Sequence, residues 1–331
     1  LNMRLRRAEL NFNGALSDTT RWAVGVDFAR AFGTNTNGTN ILNDVVISQT
    51  LVMPELTLDV GQFKIPTVAE SLDPSGQLLF PERSMVARTW GESRQPGARI
   101  AYATNMWKLQ GMISNGGNTK GNNIANNGQN TYDTASTATN AGTVDAHPNN
   151  KDLTFRFDIK PMDMVSAGAF AYLPNYNWGQ GGAFGGNVRL MPMEDLVVRA
   201  EYVRGWVRGA GTDNLPHNGY VIDGGYQYGD FQPVARYEIQ QQCVVPTGAG
   251  VGGNSTASGD CFTASATTIG LNYYLMKHNS KVQFAYTFLG KNTSGSNAAN
   301  NSGAFSPATG SYSPQPGTGG TVATLALQVA I

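Results

Sequence analysis

Apolar and polar residues alternate with a period of two in one segment after another of this 331-residue chain. The pattern runs through RWAVGVDFA (21–29), LTLDVGQFKI (56–65), DLTFRFDIK (152–160), VVRAEYV (197–203), VARYEIQ (234–240), TIGLNYYL (268–275), KVQFAYTF (281–288) and TLALQVAI (324–331). Successive side chains of a β-strand point to opposite faces, so each segment has one greasy face and one polar face. Counting such segments gives about 15 strands of about 10 residues, the length of a tilted strand crossing a bilayer; soluble strands are mostly about five or six. Helical signals are confined to short turns within 66–97.

The connections narrow the choice further. Short turns at 17–20, 52–55, around Asn105, 161–164, 192–195, 229–230 and 278–280 alternate with longer ones at 33–40, 66–97, 118–150, 177–182, 209–218, 244–264 and 292–319. A Greek-key sandwich mixes loop lengths, whereas an up-and-down barrel alternates them. The expected fold is therefore all-β: a single transmembrane antiparallel up-and-down β-barrel over 1–331. The Asn/Gly/Ser/Thr-rich segments 118–150 and 292–319 would be long external loops. Closed bacterial barrels have even strand numbers. The first strand (3–16) and the last (321–331) both run toward the short-turn side, so a further strand is expected upstream of residue 1, making about 16 strands. The chain begins at Leu1, without a signal peptide, and so reads as a mature or truncated product. No apolar run is long enough for a transmembrane helix.

The polar face carries charge of both signs. Arg7 and Glu9, Arg156 and Asp158, Arg199 and Glu201, and Arg236 and Glu238 form four copies of Arg-x-acid, each on the face opposite the apolar set. Residues i and i+2 lie roughly 6.6 Å apart, near enough to pair or share water. Arg99, Lys108, Arg189 and Lys281 add inward basic candidates, and Asp27 and Asp59 add acidic ones. A soluble sheet could place these residues in solvent, each pair contributing little. Over so many long strands, a water-filled lumen lined by fixed charges fits better. Trp22 and Trp107, each beside a short turn, suit an interfacial aromatic girdle. The loop at 66–97 mixes apolar anchors (Leu78, Leu79, Phe80, Trp90) with Glu70, Asp73, Glu82, Arg83, Arg88, Glu92 and Arg94. That mixture is expected to fold into the lumen and narrow it, with packing across the external rim or at a subunit contact as the alternative.

Composition excludes other classes. The 23 basic and 23 acidic side chains cancel, which argues against a nucleic-acid partner. Charged residues make up 14% of the chain, against roughly 25% in soluble domains. Cys243 and Cys261 flank a Gly/Thr/Ser-rich segment and most simply form one loop disulfide, as in an oxidising compartment, although two free buried thiols would also fit. No catalytic constellation is visible, so no enzyme and no cofactor or metal is expected. His147, His217 and His278 have no metal-ligand spacing, GAGVGG (248–253) lacks the strand-then-helix context of a phosphate cradle, and no G-x-S-x-G occurs.

MRLRRAELNFNGAL (3–16), RWAVGVDFA, LTLDVGQFKIPTVAESLD and LLFPERS (78–84) together resemble the phosphate-selective porin O/P family, specifically over residues 3–100 and in architecture beyond. The resemblance implies a homotrimeric, 16-stranded porin in a Gram-negative outer membrane, in contact with lipid and passing small anions. By motif it also implies that Arg6, Arg7 and Arg83 belong to an anion-guiding ladder. Alternation turns Arg7 inward and Arg6 outward or to the rim. The acid beside each Arg on the strands departs from a strongly basic lumen, so a weak to moderate anion preference is expected, with phosphate as one candidate solute. The alternatives are a surface scaffold whose Asn/Ser/Thr-rich loops bind a partner or polysaccharide, and a secreted soluble β protein.

Overall fold

The computed structural model describes residues 5–29, 41–91, 94–115, 151–173, 181–208, 214–244, 260–276, 280–290, 293–294 and 320–329. Its long strands are β1 (Glu9–Ala15), β2 (Thr20–Asp27), β3 (Leu42–Thr50), β4 (Leu56–Lys64), β5 (Arg94–Ala103), β6 (Trp107–Asn115) and β7 (Lys151–Met162). They continue with β8 (Val165–Leu173), β9 (Gly181–Met193), β10 (Leu196–Arg208), β11 (Asn214–Tyr226), β12 (Phe231–Val244), β13 (Asp260–Tyr274) and β14 (Ser280–Leu289). A two-residue β15 (Thr293–Ser294) pairs with β13, and β16 (Gly320–Val329) pairs with β14. Every long strand pairs antiparallel with its neighbour in the chain, a meander from β1 to β16.

Burial is inverted relative to a soluble protein. On β7, Phe155 and Phe157 are exposed while Thr154 and Arg156 are buried. Ile222, Tyr237, Ile269, Leu271, Phe284 and Phe288 are likewise exposed, between buried Asp223, Arg236, Glu238, Thr268, Asn272, Lys281 and Gln283. An apolar band this extensive is stable only against lipid, and the polar inner face only if it is hydrated or hydrogen-bonded. The sheet curls on itself. Ser75 donates to Glu9 of β1 at 2.7 Å, and the carbonyl of its neighbour Gly76 accepts from Gln328 of β16 at 3.1 Å. One segment thus touches both edge strands. Among the described residues β1 and β16 each pair on one side only.

At the short-turn end, Trp22 covers Gly14 across the β1–β2 pair, where a Cβ would lie 2.8 Å from the indole nitrogen. Trp107 stacks on Tyr102 at 5.2 Å, and Phe231 packs on Tyr273 at 4.9 Å. The other end departs from the sequence expectation, because β11 starts at Asn214 and β13 at Asp260, inside segments expected to be loop. Periodicity marks only the part of a strand that needs an apolar outer face, and ladder hydrogen bonds carry the strand on past it. Conversely, residues 5–8, expected to belong to the first strand, precede the ladder. The expected loops 118–150 and, apart from Thr293 and Ser294, 292–319 lie outside the described residues.

Candidate functional site

The chain between β4 and β5 holds helix α1 (Ala69–Leu72), a 3-10 turn (Ser75–Gln77) and helix α2 (Met85–Trp90). Ser84 caps α2 by accepting the Ala87 N–H at 3.1 Å. These helices are too short to persist alone, and packing holds them. Val68, Val86, Ala87 and Trp90 form one apolar cluster with Phe170, Tyr172, Ala183, Val203 and Val221. Leu79 and Phe80 pack on Val234, and Met85 on Ala264 and Ala266. Gly205 leaves room for Trp90, since a Cβ there would come within 2.2 Å of the indole. All these strand partners lie on the inner face, so the segment packs against the inside of the sheet.

Charged side chains of the strands grip the backbone of this segment. Glu201 accepts the N–H groups of Ala69 and Glu70 at 2.6 and 3.4 Å, and Glu238 accepts that of Met85 at 2.6 Å. Two carboxylates thus satisfy the orphan donors at the starts of α1 and α2. Lys281 donates to the Leu78 carbonyl at 2.6 Å, Arg236 to that of Glu82 at 3.0 Å, Arg156 to that of Thr67 and Lys64 to that of Ser71. Arg83 turns into its own segment and donates to the carbonyls of Glu70 and Asp73 at 3.2 and 2.8 Å. Glu70 accepts from Arg236 and from the Ser84 hydroxyl.

The expected Arg-x-acid pairs need correction. Only Arg156 and Asp158 bond along one strand, through Nε at 2.8 Å. Arg199 instead grips Asp223, directly opposite on β11, at 2.7 and 2.9 Å, and reaches Asp73 at 3.1 Å. Arg236 contacts the same Asp223 from β12 at 3.3 Å and lies over the Phe80 ring at 4.1 Å. Residues opposed across a ladder are closer than residues i and i+2, so Arg199 and Arg236 take the acid across the ladder. Arg156, opposed by Gln110 and Phe170, turns along its own strand to Asp158. No Arg-x-acid pattern marks Asp223, which stands alone in GYVIDGGY (219–226); its even spacing from Val221 and Gly225 is the available signal.

Arg99 pairs with Asp59 across β4–β5 at 2.7 Å and lies over Phe63 at 4.6 Å. Asp27 is buried and accepts the N–H groups of Ala8 and Ala29 at 2.9 and 3.1 Å, shaping the approach to β1. Glu9 accepts from Ser75 rather than from Arg7. Arg6, expected outward or at the rim, reaches Glu82 at 2.7 Å, because residues outside the ladder are not bound by its alternation. Burial would raise the Glu82 carboxyl, but Arg88, Arg6 and Arg7 outweigh it and hold the group below its ordinary value. For Asp73 burial prevails over Arg199 and Arg189, and its carboxyl is raised. Cys243 and Cys261 face each other in the β12–β13 register, within strands rather than in a loop, and their side chains lie outside the described residues.

A cavity of about 440 Å³ separates α1 from the β5–β11 wall. Basic Arg99, Lys108, Arg156, Arg189 and Arg199 line it, with acidic Glu70, Asp73, Asp158, Glu201 and Asp223. Arg99, Arg156 and Arg199 are ion-paired. Among the described residues Lys108 and Arg189 make no hydrogen bond or ion pair. Among the described residues Asp73 bonds through Oδ2 alone.

An apolar outer belt, a charged inner face and a segment folded inside the sheet are joined by a match of residues 1–309 to the model of the phosphate-selective porin O and P family. The chain belongs to that family. This porin is a β-barrel channel of the bacterial outer membrane. No curated protein sequence matches it. Solved structures share its fold at low identity. The loop L8 deletion mutant of OmpT, an outer membrane protein of Vibrio cholerae, aligns with a TM-score of 0.55 at 9% identity, over 87% of this chain and 85% of that one. In-vitro folded OmpT from the same organism, in its trimer form, gives 0.51 at 10% identity, over 86% and 80%. The outer membrane channel DcaP of Acinetobacter baumannii gives 0.52 at 15% identity, over 87% and 81%.

Proposed function

We propose that this porin is a passive pore for small hydrophilic solutes with a weak to moderate preference for anions, inorganic phosphate among them. The observation that carries the reading is the unequal pairing in the cavity. The five basic and five acidic side chains cancel formally, yet among the described residues Lys108 and Arg189 are the lining cations that make no hydrogen bond or ion pair. Their field acts on any ion in the water-filled passage, whereas the paired arginines contribute mainly short-range dipoles. Arg83, which the family resemblance puts in the anion ladder, spends its donors on backbone carbonyls, and Arg7 stands near Glu82. The selectivity-setting groups are therefore Lys108 and Arg189, with Arg99 and Arg199 in support. Homotrimeric assembly is part of the proposal, in keeping with the family resemblance and the trimer form of OmpT.

The test is the reversal potential of the purified protein in a planar bilayer under a KCl gradient, with phosphate then added. The wild type should prefer anions, and K108Q with R189Q should move the potential toward zero or to the cation side. An unchanged potential in the double variant would sink the assignment. Block by phosphate at low concentration would add phosphate selectivity to the anion preference.

A further inference from the structure

The cavity holds two cations without an ion pair among the described residues and one carboxylate that is only half engaged. Of its acids, Glu70 is taken by Arg236 and Ser84, Glu201 by the α1 backbone, Asp223 by two arginines and Asp158 by Arg156. Asp73 alone keeps a carboxylate oxygen without a partner among the described residues, and its side chain is 31% exposed. It sits on the inner segment, while Lys108 on β6 and Arg189 on β9 belong to the sheet wall. A half-engaged carboxylate facing cations without an ion pair across a gap makes a fixed transverse field, which low-dielectric walls concentrate.

We infer that the cavity is a cradle for small zwitterions, their ammonium group toward Asp73 and their carboxylate toward Lys108 and Arg189. This rests on the reading above that the cavity is part of the open passage. A simple anion is attracted by the wall and repelled by Asp73, and a simple cation meets the reverse. An uncharged solute gains nothing from the field. A zwitterion bears no net charge and gains at both ends once oriented. The volume of about 440 Å³ admits an amino acid or a dipeptide together with water.

The experiment is swelling of proteoliposomes holding the full chain, in glycylglycine and in arabinose, with KCl reversal potentials measured on the same preparations. In the wild type glycylglycine should enter faster than arabinose. D73N and, separately, K108Q with R189Q should each lower the glycylglycine-to-arabinose ratio roughly two- to fivefold, the range for losing one solvent-shared ion pair. Their reversal potentials should move in opposite directions, D73N toward anions and the double variant away from them. The D73N ratio separates a dipole cradle from an anion funnel, in which D73N would help every solute with a carboxylate and so raise the ratio. A ratio unchanged in both variants overturns the cradle. If the potentials still shift, the anion reading stands without it; if only the ratio shifts, the anion reading fails and the cradle stands. Arg199 keeps both bonds to Asp223 in D73N, and heat-modifiable gel migration verifies folding. Should D73N fail to fold, D73S takes its place in the same assay.

Discussion

Two stretches of the same inner wall use the same residue types to opposite ends. Along β10–β14, Glu201, Arg236, Glu238 and Lys281 are buried, and each is hydrogen-bonded to the backbone of the inner segment. Along β5–β9, Lys108 and Arg189 stand open to the cavity. Arg156 is the exception that fits, for it lies on β7 yet meets the foot of the segment at Thr67 and is buried with it. Facing inward therefore does not make a charge part of the permeation path. What decides is whether the segment lies over it: covered charges become clasps, and uncovered ones act on solutes.

The largest expected contrast sets Arg236 against Arg189. R236A strips the partner from one oxygen of buried Glu70 and a donor from the Glu82 carbonyl. Removing one member of a buried charge cluster costs about 3–5 kcal/mol. R189A removes an exposed side chain and should stay within about 0.5 kcal/mol. Urea midpoints of the refolded barrels would measure both, and equal losses would erase the distinction between the two walls. R236A should also raise single-channel current noise as the segment loosens.

Smaller effects sharpen the same point from the packing side. Gly205→Val would drive a side chain into Trp90 and the His217 carbonyl, which a Cβ already approaches to 2.2 and 2.8 Å. Overpacking of this kind costs about 1–3 kcal/mol. The displaced α2 should change single-channel conductance even where the barrel survives. E238A removes the acceptor of the Met85 N–H at the start of α2, a capping loss of about 1 kcal/mol. E238Q keeps an acceptor and should recover most of it. If E238A and E238Q behave alike, Glu238 is no clasp.

These two walls could not be told apart in the sequence, though much else could. Alternation in RFD, RAE and RYE assigns Arg156, Arg199 and Arg236 to the polar face, and the apolar run at Leu78–Phe80 marks a segment seeking a surface to pack on. Alternation is a property of one strand, however, and pairing is a property of two. Asp223 becomes the partner of both Arg199 and Arg236 only once β10, β11 and β12 are set in register. The roles of Glu201 and Glu238 lie a step further off, since their partners are backbone N–H groups more than a hundred residues away. Backbone donors carry no sequence signature. The same holds for Arg6, which stands outside the ladder that would have fixed its direction.

The mildest perturbation is acid, and it should act on two carboxyls of the inner segment in sequence. Asp73 is raised by burial, and so it takes up its proton first as pH falls. Its loss of charge removes one of the negative charges facing Lys108 and Arg189, so anion preference should increase on mild acidification while the segment stays in place. Glu82 is held below the ordinary carboxylate value by Arg88, Arg6 and Arg7 against the pull of burial. A depressed folded-state value means that the stability Glu82 contributes is present above its unfolded value of about 4.3 and is lost as pH falls through the lower folded one. The contacts of Arg6 and Arg88 with Glu82 should therefore release only in stronger acid. Reversal potential and current noise followed from neutral pH downward would separate the two steps, selectivity moving before noise. In D73N the first step should vanish and the second remain. In E82Q the noise should already be raised at neutral pH, with the difference from wild type shrinking below a pH of about 4.3. A single simultaneous transition in the wild type would mean that Asp73 and Glu82 titrate as one unit, and that the open and covered parts of the inner wall are not electrostatically separate.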